Sequence, residues 1–163
     1  MSRSLAFLVA AVAGATTGPA VAGQATAVME VRATVVESCS VTADVLDFAL
    51  DTTPGARAQG QASVALSCNG PAAYEIALDA GRNSRSGERQ MLDPESGATL
   101  AYEIYSDAAR TMRWGNATGV DTLAGTADDD GRAVLTAYGV TLTDGSSLAA
   151  GTYADAVVVT VNF

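Results

Sequence analysis

The chain has 163 residues, enough for one domain with a substantial core, and 48% of them are hydrophobic against 17% charged. Its formal net charge is −9, with no histidine and with arginine as the sole cation. That balance argues against nucleic acid and anionic membranes as partners. The missing imidazole removes the usual general base, the Ser-His triad and most zinc sites.

The first residues read as a targeting signal covering 1–22. Arg3 supplies the positive start, Leu5 to Ala15 form a short apolar run, and Ala20-Val21-Ala22 gives a small-x-small cleavage pattern. The apolar run is too short for a typical membrane span. A mature chain would begin at Gly23. In an exported chain two cysteines are expected to pair, Cys39 with Cys68, the alternative being free or intermolecular thiols.

Next comes a long alternating stretch. Ala25, Ala27, Met29, Val31, Ala33 and Val35 share one face, with mostly polar residues on the other. Periodicity allows two readings. One is a single first strand that bends or changes sheets. The other is a free extension to about Arg32, followed by the first strand of the domain up to Cys39.

Val45 to Leu50 reads as a short strand with Phe48 inward, and 51–60 as a loop rich in turn residues. Gln61 to Cys68 alternates, with Ala62, Val64, Leu66 and Cys68 on one face. Tyr74 to Leu78 forms the next strand. Ala80 to Gln90 is polar, and its Arg82, Arg85 and Arg89 are expected in a solvated loop. Thr99 to Tyr105 is a strand with Leu100, Tyr102 and Ile104 on one face, and Met112 to Trp114 is a short apolar piece.

Val120 to Arg132 reads as a loop carrying Asp121, Asp128, Asp129 and Asp130. Three consecutive aspartates lack the alternating spacing of a calcium loop, so solvation is the expected role and no metal site is assigned. Asp93 and Glu95 lie close in sequence, but nothing brings acids together across a cleft, as glycoside hydrolysis would need. No catalytic constellation and no cofactor-binding motif is evident, so an enzyme is not expected.

Ala133 to Leu142 and the closing AGTYADAVVVTVNF complete the set. In the last stretch Tyr153, Val157, Val159, Val161 and Phe163 share a face. No charge follows Asp155, and this strand is expected to be the last, with none after it to pair with its other edge. Such an edge invites another strand. Some seven short strands with turns between them predict an antiparallel, immunoglobulin-like β-sandwich.

These stretches resemble the spore coat protein U-like family, which includes subunits of archaic chaperone–usher pili. The likeness is carried by VVESCSV, by VALSCNGPAAYEIALDAGRN, by RQML with LAYEIYSDAARTMRWGN, by AYGVTL and by GTYADAVVVTVNF. The Gly151, Tyr153, Asp155 start of the last strand is its most specific part.

The resemblance implies an incomplete immunoglobulin-like domain, residues 33–163, that lacks its seventh strand and is completed by donor-strand exchange. Residues 23–32 would be the donor extension, with Ala25, Ala27, Met29 and Val31 as its stripe. Val157, Val159, Val161 and Phe163 would edge the acceptor groove of a neighbouring subunit. Implied partners are identical or related subunits, a periplasmic chaperone and an outer-membrane usher. The implied destination is a surface fimbrium or coat supporting adhesion and biofilm formation. A self-complemented secreted coat protein and a surface-binding adhesin are the competing readings.

Overall fold

The computed structural model describes residues 18, 22–50 and 53–163, so the expected signal segment lies almost wholly outside the described residues. The chain divides into two units at Thr34 and Val35. Within the first, residues 22–34 adopt no strand or helix and their side chains are exposed. Arg32 pairs there with Glu30 at 2.6 Å.

The second unit is an all-β sandwich. Its strands are β1 (Cys39–Ala43), β2 (Gln59–Cys68), β3 (Ala73–Leu78), β4 (Arg89–Leu92), β5 (Thr99–Tyr105), β6 (Leu123–Thr126), β7 (Arg132–Thr141) and β8 (Val159–Asn162). One sheet has the order β1-β2-β7-β5-β4 and the other β6-β3-β8, with antiparallel pairing throughout. A 3-10 turn at Gly145–Ser147 is the only helical element among the described residues. No helix there is long and apolar enough to cross a membrane.

The period-2 patterns act as expected in the sandwich. Val64 and Leu66 of β2, Ile76 and Leu78 of β3, and Leu100, Tyr102 and Ile104 of β5 are buried. Inward positions from two sheets thus build one core, centred on Val64, Ile76, Leu78, Tyr102, Ile104, Trp114 and Ala137. Trp114 is fully buried and its indole N–H donates to the Ile76 carbonyl at 2.9 Å. Cys39 and Cys68 face each other in the β1–β2 register and form a disulfide.

Four expectations need correcting. The stretch 25–38 forms no strand; β1 starts at Cys39. The reason is register. Residues before Cys39 would have to pair beyond Cys68, where Asn69-Gly70-Pro71 turns the chain away. Asn69 serves instead: its Oδ1 accepts from the Ser38 N–H at 3.1 Å, and its Nδ2 donates to the Val36 carbonyl at 2.7 Å.

Val45–Leu50 is not a strand either. After the Asp44 N–H bonds the Ser63 carbonyl, the chain leaves the β2 ladder. It passes over Gly60 and Gly139, where any Cβ would overlap Asp47, Phe48 or Leu46. Phe48 does turn inward, its ring 5.9 Å from that of Tyr102.

The expected loop at 80–90 ends in the first residues of a strand, β4, and the one at 120–132 contains another, β6. Arg89, expected in solvent, is fully buried. Its guanidinium pairs with Glu103 and donates to the carbonyls of Leu78 and Trp114 at 2.9 Å, and to that of Asp79 at 2.7 and 2.9 Å. Glu103 also accepts from Arg113 at 2.8 Å, and Arg113 pairs with Asp121 at the same distance.

Candidate functional site: an open groove beside the last strand

The C-terminal segment keeps its alternation further than its ladder. Tyr153, Asp155, Val157, Val159 and Val161 are partly buried, while Ala154, Ala156, Val158, Thr160 and Asn162 are exposed. Yet only Val159–Asn162 counts as a strand, paired with β3 through Leu78↔Val159 to Glu75↔Asn162. Upstream, Ala154 bridges Leu92 of β4 in the other sheet.

All the main-chain bonds upstream of β8 reach even-numbered residues. Ala154 exchanges bonds with Leu92, Arg82 N–H donates to the Ala156 carbonyl, and Asp79 N–H donates to that of Val158. Because a strand's polar groups alternate sides, the odd-numbered N–H and C=O groups point to the opposite edge. Among the described residues, nothing bonds to the backbone of Asp155 or Val157.

Along that edge runs a groove of about 440 Å³. One wall is Ala43 to Phe48, the other Tyr153 to Val157 with Val159. Its floor includes Val64, Leu78, Tyr102, Ile104 and Ala137, all core residues. The sandwich thus opens to its interior between the two chain segments. An apolar trough walled by strand-like backbone with unpaired polar groups can accept an extended chain, side chains down and backbone bonded sideways.

Tyr102 links the floor to one wall. Its hydroxyl donates to Asp155 Oδ2 at 2.8 Å. Burial, followed by that bond and the carboxylate's charge, pushes its ionisation well above the ordinary tyrosine range.

Of the residues expected to edge this groove, Val157 and Val159 line it. Val161 packs against the core further along β8, and Phe163 is 52% exposed. Ala25, Ala27, Met29 and Val31 are exposed in the first unit. The second wall was not legible, because Val45–Leu50 read as an ordinary strand. The inward Asp155 was also missed, although an acid interrupting an apolar stripe was a usable signal. The aspartate-rich loop forms no ligand cluster, and among the described residues no group of three or more metal-ligating side chains occurs. Asp128 instead accepts from the N–H groups of Asp130 and Arg132 at 3.0 and 2.7 Å, fixing its own turn.

Residues 25–160 match the family model of the Spore Coat Protein U domain. No curated protein matches significantly. Among solved structures, one similar chain comes from the CsuC–CsuE chaperone–tip adhesion subunit pre-assembly complex of archaic chaperone–usher Csu pili of Acinetobacter baumannii. The TM-score is 0.58 at 23% identity, over 80% of this chain and 41% of that one. The chain therefore spans about two fifths of that relative's length, and the likeness is one of fold. A chain from a chaperone–tip adhesin complex of CFA/I fimbriae is more distant, with a TM-score of 0.47 and 16% identity over 74% and 40% of the two chains.

Proposed function

Since the chain belongs to the Spore Coat Protein U domain family, we propose that it is a structural subunit of an archaic chaperone–usher pilus or coat, polymerising by donor-strand exchange. The observation that carries this reading is the open groove between 43–48 and 153–159, with core residues as its floor. A periplasmic chaperone holds the groove during export. At an outer-membrane usher the leading segment of the next subunit replaces it.

Residues 23–32 supply that segment, and Ala25, Ala27, Met29 and Val31 face the floor. Met29 is 85% exposed and Val31 83% in the described chain, so burial gains about 1.5–3 kcal/mol for each. The two alanines contribute less, and the backbone ladder along 155–161 adds directional pairing. Val157, Val159, Val161 and Phe163 form the receiving strand. The role is structural rather than catalytic, and the fibre acts at the cell surface in adhesion and biofilm formation.

The test is assembly. The exported wild-type chain is expected to elute as polymers on size exclusion. A chain carrying Met29→Asp and Val31→Asp should still bind its chaperone but fail to polymerise. Polymers from the double variant would refute the donor assignment. A wild-type chain that stays monomeric at high concentration would refute assembly itself.

A further inference from the structure

We propose that Asp155 and Asp79 are positioning residues for strand acceptance, holding the 153–158 wall in place before any strand arrives. The inference rests on the reading of the groove given above. It starts from a geometric difficulty. The C-terminal segment begins against β4 of one sheet at Ala154 and ends against β3 of the other at Val159–Asn162. Between them it crosses from sheet to sheet with no strand beside it.

Its neighbour in that gap is the 79–83 turn, which carries the chain from β3 towards β4. Gly81 there has φ +81°, so the turn cannot offer a regular ladder. Side chains complete the pairing. Asp79 Oδ1 accepts from the N–H groups of Gly81 and Val158, both at 2.9 Å. Asp155 Oδ1 accepts from the Asn83 N–H at 3.0 Å and from Asn83 Nδ2 at 3.1 Å. Asn83 Nδ2 also donates to the Ala154 carbonyl at 3.1 Å. The other Asp155 oxygen takes the Tyr102 hydroxyl, from the central core of β5.

Asp155 occupies an inward position, between Tyr153 and Val157, where an apolar residue would cost nothing to bury. A carboxylate there is unfavourable unless its oxygens are bonded. Both are. Gly81 closes the arrangement, since a Cβ at that position would overlap the Asp155 carboxylate. A wall fixed in this way takes an incoming strand without first losing backbone freedom of its own, which is the advantage of preorganisation.

Two measurements on the full chain test this. The first is amide hydrogen exchange with the groove empty. Asp155→Ala should speed exchange at Asn83, Arg82 and Val158, and Asp155→Asn should do so less. The second is binding of a synthetic peptide with the sequence of residues 23–36. Asp155→Ala should slow its association about tenfold while changing dissociation little, because the wall is ordered once filled. Tyr102→Phe keeps the ring in the core and should slow association in the same direction by a smaller factor.

Unchanged exchange in Asp155→Ala overturns the inference. So does faster exchange with wild-type association, which would leave Asp155 a merely stabilising role. Failure of the wild-type chain to take the peptide, with exchange shifted as expected, instead overturns the strand-accepting function.

Discussion

Replacing Arg89 by methionine removes a buried cation while keeping an unbranched apolar stem of similar course. The side chain is fully buried, and its guanidinium serves Glu103 and the carbonyls of Leu78, Asp79 and Trp114. Breaking a buried pair by removing one partner costs about 3–5 kcal/mol. Glu103 keeps Arg113 at 2.8 Å, which holds the loss from its side towards the lower figure. The orphaned carbonyls push the other way, since the Leu78 and Trp114 bonds are buried and each unsatisfied group costs about 1–3 kcal/mol. These terms overlap, so about 4 kcal/mol is the expected total. That is a large share of the roughly 5–15 kcal/mol that stabilises a domain. At about 3–5 °C per kcal/mol for a domain of this size, Tm should fall by roughly 10–20 °C. Thermal melts followed by circular dichroism provide the assay. Arg89→Lys is the informative companion: it keeps the charge but lacks the planar fork, so it should recover less than half of the loss. An Arg89→Met variant melting within about 3 °C of wild type would refute the idea that this guanidinium ties β4, the end of β3 at Leu78 and Asp79, and Trp114 together.

Removing the disulfide with Cys39→Ser and Cys68→Ser should cost about 3.5 kcal/mol, from a sequence separation of 29, read by urea titration; an unchanged midpoint would exclude the pairing as a stabiliser. Acid should destabilise the fold. Glu75, Asp93, Asp107 and Asp144 are all held below the usual carboxylate range, chiefly by bonds from Thr122, Ser96, the Met112 N–H and Ser146 respectively. Depressed folded values stabilise above the unfolded pKa, so Tm should be flat from about pH 5 to 8 and fall below about pH 4; equal melting at pH 3 and pH 6 would contradict this. At the other extreme, Tyr102 is raised by burial and by Asp155, so its contribution is complete below about pH 10 and is lost as pH rises further. Absorbance titration of Tyr102→Phe against wild type should assign the latest-ionising tyrosine to this position. Gly131→Ala should destabilise measurably, because φ is +75° and the new methyl would meet the Cys68 carbonyl; a neutral effect on Tm would refute the close approach.

The elements read correctly from sequence are those with an apolar face on the core. β2, β3, β5 and β7 sit within one or two residues of their expected ranges, because Val64, Leu66, Ile76, Leu78, Leu100 and Ile104 repeat every second residue. β4 and β6 escaped because they are four residues each and carry little period. Arg89 is the instructive case: its type signals solvent, and only the converging carbonyls of Leu78, Asp79 and Trp114 make the interior acceptable. At the groove, the alternation of 153–161 was plain, and so was the apolar character of the edge. The facing wall was not, since the ladder ends at Asp44 and the chain then passes in close approach over Gly60 and Gly139. The inward carboxylate of Asp155 could not be placed either, because its donors come from residues 72 and 53 positions away.

The clamp at the root of β1 bears on what a filament of such subunits would withstand. Asn69 grips the Ser38 N–H and the Val36 carbonyl, and the disulfide follows at the next residue, joining β1 to β2. In the proposed filament, tension arriving through the leading segment would therefore enter the body at a covalent bond to β2, which is hydrogen-bonded along its length to β7. β1 lies beyond that bond and is spared from being peeled away one hydrogen bond at a time. Load is shared between two long neighbouring strands, so a link in the filament should part at its non-covalent joint before the subunit itself unravels.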